Sequence, residues 1–148
     1  MKLPENQPIT VCVAARFANL ADLLALISAG LNPVGPDFDH QIPMRAHLAV
    51  EELFANTIHH GYGKESDAEV WLTVERGASS VRITYADAAP AFDPFSGDFG
   101  AVAAEGVEEQ RVGGLGRLLI KETAHHCAYR REAGRNVITL EYTLKPST

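Results

Sequence analysis

Glu52, Asn56 and His60 follow one another at four-residue intervals. On a helix turning ~100° per residue, Asn56 lies ~40° and His60 ~80° from Glu52, so the three form one polar ridge. Val50, Leu53, Phe54, Thr57 and Ile58 occupy a separate, apolar sector. A carboxylate and a carboxamide one turn apart can hold Mg²⁺ with most of its water, and the carboxylate can also take a proton. The same spacing equally describes a solvated helix face.

Two further segments carry chemistry. In Tyr85-Ala86-Asp87-Ala88-Ala89-Pro90-Ala91-Phe92, an apolar alternation ends in an acid, followed by small residues and an aromatic. Asp87 there can accept an exocyclic amine while its small neighbours let a ring approach the backbone; a plain Asp/Pro turn is the competing description. The run Val112-Gly113-Gly114-Leu115-Gly116-Arg117 precedes a helical pattern and offers bare backbone N–H groups to an anion. It is neither a Rossmann fingerprint, since a polar stretch precedes it, nor a Walker A, since Gly-Lys-Ser/Thr is missing.

The elements that must position these residues can be read from periodicity. Ile9 to Ala14 predicts a strand and Phe17 to Ala29 a helix stopped by Gly30. Pro43 opens a second helix that closes at Gly61-Tyr62-Gly63. Alternation over 68–74 and 81–85 predicts a hairpin, with Trp71 on its outward side, and a second hairpin spans 127–131 and 136–144 around Glu132-Ala133-Gly134-Arg135. Residues 88–112 hold little periodicity and are expected to form a lid. The order favours an α+β fold, a mixed, mostly antiparallel sheet with helices on one face, over a doubly wound parallel sheet.

Composition narrows the class. The 148 residues, 46% hydrophobic and 22% charged, suit one globular domain over residues 1–148. A formal charge of −6 supplies no field for nucleic acid or an anionic membrane. No apolar run approaches the ~20 residues that span a bilayer, and the first residues lack an apolar leader, so a cytoplasmic location is expected. Cys12 and Cys127 read as small buried hydrophobes without a disulfide. His47, His59, His60, His125 and His126 lack the spacings of a zinc site.

In order and spacing, Glu51-Glu52-Leu53-Phe54-Ala55-Asn56 with His59-His60-Gly61-Tyr62, then Asp87 to Pro94, then Gly113-Gly114-Leu115-Gly116, resemble the N, G1 and G2 boxes of the superfamily shared by gyrase, Hsp90, histidine kinases and MutL. Within it the chain is most similar to the small anti-sigma-factor serine kinases of the RsbW and SpoIIAB type. The resemblance implies the Bergerat fold of that superfamily, ATP and Mg²⁺ as cofactors, and phosphoryl transfer to a serine of a STAS-domain anti-anti-sigma partner. It also implies competition by a sigma factor and a homodimer paired through the first strand and helix. It assigns Glu52 as general base, Asn56 to Mg²⁺, and Asp87 to the adenine amine. Ala89, Phe92, Gly113, Gly114, Leu115, Gly116 and Arg117 become nucleotide contacts, with His60 and Arg111 in support. Members usually carry Gly where this chain has Ala89, which places a methyl group where backbone approaches the nucleotide. The alternative reading is an inactive binding module of the same fold that only captures a STAS or sigma partner.

Overall fold

The computed structural model describes residues 7–31, 41–95 and 124–144. In chain order these form β1 (Ile9–Ala14), a 3-10 turn (Phe17–Asn19), α1 (Leu20–Gly30), α2 (Ile42–Asn56) and a π-turn (Thr57–Gly61). The strands β2 (Glu69–Arg76), β3 (Ser80–Asp87), β4 (His126–Glu132) and β5 (Arg135–Thr143) follow. They join β1 in one five-stranded sheet of order β1-β2-β3-β5-β4. Among the described residues every pairing is antiparallel. The expected α+β fold with a mostly antiparallel sheet is met: both hairpins close between sequence neighbours, and β1 and β5 also run antiparallel to the strands they meet. The glycine run 113–116, the helix expected after it, Arg111, Arg117 and most of the expected lid lie outside the described residues.

The two-residue alternation of the strands divides the sheet into unlike faces. Val70, Leu72 and Val74 of β2, Val81, Ile83 and Tyr85 of β3, and Ile138, Leu140 and Tyr142 of β5 point to one side and are buried. Leu23 and Ile27 of α1 and Ala46, Ala49, Val50, Leu53 and Phe54 of α2 join them in a single core. Each fully buried Leu or Ile contributes roughly 1.5–3 kcal/mol, which makes this layer the main source of stability. Buried Arg76 closes its edge by donating from Nη1 to the Gly30 carbonyl at 2.9 Å, satisfying the last residue of α1.

The opposite face carries Thr10, Trp71, Thr73, Thr84 and Arg135. Trp71 points there as its alternation predicts, with the Arg135 guanidinium 3.6 Å from its ring centroid. Cys12 is exposed, accepting no place in the core, and donates from Sγ to Glu69 Oε2 at 2.9 Å. The expected burial of both cysteines holds only in part: Cys127 is half-buried against the core. Among the described residues no helix is long and apolar enough to cross a membrane.

Candidate functional site

Strand register builds the site. On the inner face at one end of the sheet, Val70, Asp87, Asn136 and Arg131 stand in one row across β2, β3, β5 and β4. The next row contains Leu72, Tyr85, Ile138 and Tyr129. Polar side chains therefore close the end of a face that is otherwise apolar. Asp87 and Asn136 are 7% and 4% exposed, so each needs partners within the protein.

Those partners form a connected network. Asp87 Oδ1 accepts from Asn136 Nδ2 at 2.9 Å and from the Ala89 N–H at 3.2 Å, while Oδ2 lies 2.7 Å from the Thr57 hydroxyl. Thr57 Oγ1 is also 2.6 Å from the Tyr85 hydroxyl and 3.0 Å from the Leu53 carbonyl. Burial holds Tyr85 well above the usual phenol range, Asp87 adding to the shift and the Thr57 bond opposing it. Tyr85 thus keeps its proton and can donate to Thr57, leaving the single Thr57 proton for the carboxylate. A carboxylate has about four acceptor positions, so Asp87 retains capacity for a ligand donor.

Asn136 organises the loop after β3. Its Nδ2 reaches the carbonyls of Ala89 and Pro90 at 3.2 and 3.0 Å, besides Asp87. Its Oδ1 accepts from the Phe92 N–H, the Tyr129 hydroxyl and Arg131 Nη1. Arg131 adds a 2.7 Å bond to the Ala89 carbonyl. Tyr62 holds the same loop from the other side, its hydroxyl accepting from the Ala88 N–H and donating to the Glu69 carbonyl, both at 2.8 Å.

The helical side arises from a change of pitch. The Tyr62 N–H reaches the Thr57 carbonyl five residues earlier at 2.7 Å. The resulting π-turn, a feature common at functional sites, swings the end of the helix over the sheet. Between it and the loop after β3 lies a cleft of about 210 Å³. Leu53, Asn56, His60, Asp87, Phe92 and Ile138 contribute to its walls, together with Thr57, Gly61, Tyr85, Ala89 and Asn136. This is below the ~300–1,000 Å³ of pockets that enclose a whole small ligand, and about the size of one ring system.

Of the residues singled out in the sequence, Asn56, His60, Asp87, Ala89 and Phe92 meet at this cleft. Glu52 is half-buried one turn before Asn56 and does not line it. Burial, and secondarily the neighbouring Glu51, push its carboxyl up from the ordinary carboxylate range. Thr57, Tyr85, Asn136 and Arg131 are additions made by the fold. Asn136 had a detectable signal, a polar residue in phase with Ile138, Leu140 and Tyr142 on the inward side of its strand. Among the described residues no group of three or more His, Cys, Asp or Glu could hold a metal ion.

Comparison with known proteins agrees with this geometry. A search of curated protein sequences finds no match. Among solved structures, the crystal structure of the RsbU and RsbW domains of a Mycobacterium tuberculosis protein is similar with a TM-score of 0.60 and 18% identity. The match covers 95% of this chain and 33% of that one, so the chain spans about a third of its length. That likeness establishes the α+β fold. The model of the histidine kinase-like ATPase domain matches residues 13–142, which takes in the π-turn, Asp87 and Asn136 alike, and the chain belongs to that family.

Proposed function

We propose that this domain binds ATP with Asp87 recognising the adenine amine, and that it is a protein serine kinase and anti-sigma factor acting on a STAS-domain partner in a cytoplasmic partner-switching circuit. The observation that carries the reading is the buried Asp87 carboxylate, held on both oxygens yet facing a ring-sized cleft beside Asn56. The RsbW domain in the similar structure supports the choice of circuit.

In this reading Asn56 ligates Mg²⁺ and Glu52 accepts the proton of the acceptor hydroxyl. Mg²⁺ takes few protein ligands and is held mainly by phosphates, so one amide oxygen from Asn56 is compatible with it. The metal supplies charge neutralisation when bound; the protein's own contribution is to orient the base ring and place the proton acceptor. The outer position of β1 in the sheet supports pairing of two copies through β1 and α1.

Calorimetric titration with ATP, with GTP as control, tests the nucleotide site. Selective ATP binding that Asp87→Asn abolishes is the expected result; Asn at this position can still meet Thr57 and Asn136, so the fold survives. Transfer of labelled phosphate to a STAS-domain protein tests the kinase. ATP binding without transfer to any such protein would replace the kinase reading by that of a binding module, and absence of binding at millimolar ATP would remove both nucleotide and kinase.

A further inference from the structure

Gly61 lacks a side chain for reasons of space. Among the described residues the glycines at positive φ are Gly63 and Gly134, so Gly61 has a backbone conformation open to any residue. A Cβ built on it would fall 2.9 Å from Ala89 Cβ, and 3.9 Å from both Asp87 Oδ2 and the Asn56 carbonyl oxygen. Carbon atoms pack at ~3.5–4.0 Å, so two methyl groups cannot occupy these positions together.

Neither side can retreat freely. Ala89 is 2% exposed and tied through both backbone groups, its N–H to Asp87 and its carbonyl to Asn136 and Arg131. Gly61 is followed by Tyr62, whose hydroxyl bridges Ala88 and Glu69. The methyl of Ala89 thus occupies the space that the bare residue 61 leaves.

We propose that residues 61 and 89 form one steric unit with room for a single methyl, and that this unit sets the position of Asp87 in the cleft. The second part rests on the reading of the cleft as a nucleotide site. Residue 61 then acts as a positioning residue: a side chain there displaces residue 89 and, through its N–H bond, the carboxylate that meets the ligand. Ala89 is accommodated by its neighbour across the cleft floor, so a methyl at this position is compatible with binding.

The test is a cycle of the parent protein, Gly61→Ala, Ala89→Gly and the double variant, followed by thermal melting and ATP calorimetry. Overpacking by one methyl is expected to lower the melting temperature of Gly61→Ala by roughly 5–10 °C. ATP affinity should fall about tenfold, and the double variant should recover most of both losses. Failure of Gly61→Ala to fold, with recovery in the double variant, gives the same answer. A Gly61→Ala melting temperature equal to the parent's, or a double variant no better than Gly61→Ala, overturns the steric unit. Restored melting without restored affinity overturns the link to Asp87. Absence of ATP binding in all four proteins rejects the nucleotide reading, and the order of melting temperatures still decides the steric unit.

Discussion

At the scale of single residues, each polar group at the end of the inner sheet face answers another. Asn136 serves Asp87, two loop carbonyls and three donors at once. Asn136→Ala should therefore cost about 1–3 kcal/mol, because several buried groups lose partners together. Urea unfolding measures it, and a change below 0.5 kcal/mol on the ~1 kcal/mol scale of one hydrogen bond would show that the loop holds itself. Glu52 has the opposite character. Its folded-state affinity for a proton is raised by burial, so ionisation opposes folding once pH exceeds the ordinary carboxylate range. Glu52→Gln should melt higher than the parent at pH 7.5 and lose that advantage as pH falls through the raised folded-state value to the ordinary carboxylate range. Phosphoryl transfer should fall by roughly 10²–10⁴-fold in the same variant with ATP affinity kept, as for loss of a general base. Equal loss of affinity would move Glu52 from proton transfer to nucleotide binding.

At the scale of elements, turns decide how the site-bearing strands meet. The β4–β5 connection places Ala133 at φ 51° and Gly134 at φ 77°, the left-handed pair of a two-residue hairpin whose twist matches its strands. Register then sets Arg131 opposite Asn136. Ala133 has a Cβ in a region that disfavours one, and Ala133→Gly should stabilise the protein by roughly 0.5–1 kcal/mol. Chemical denaturation is the measurement; destabilisation would show that the methyl makes a contact outweighing the backbone term. The π-turn is the other deciding element. An α-helix continued through Thr57 would keep the Glu52, Asn56, His60 ridge in step, whereas the wider turn buries Thr57 and brings Gly61 against Ala89.

At the scale of the whole molecule, one core fastens both helices to the inner face of the sheet, and the cleft lies where that core ends. Ligand binding there should stabilise the entire domain, since the walls of the cleft belong to α2, the π-turn, β3, β5 and residues 89–94. At ATP one hundred times its dissociation constant the gain is about 2.7 kcal/mol, visible as a rise in melting temperature that GTP should not reproduce. An equal rise with GTP would take adenine selectivity away from Asp87. Local patterning was sufficient for the strands, the hairpins, the two helices among the described residues and the outward Trp71, because alternation and helical spacing are short-range properties. The pairing of β1 with β2 and of β3 with β5, the exposure of Cys12 and the Asp87, Thr57, Asn136 and Arg131 network depend on segments as far apart as Ile9 and Val74 or Ser80 and Thr143. Periodicity carries no record of which strand lies beside which. The space shared by Gly61 and Ala89 likewise exists only after the π-turn and the loop are brought together, because steric exclusion acts between neighbours in space.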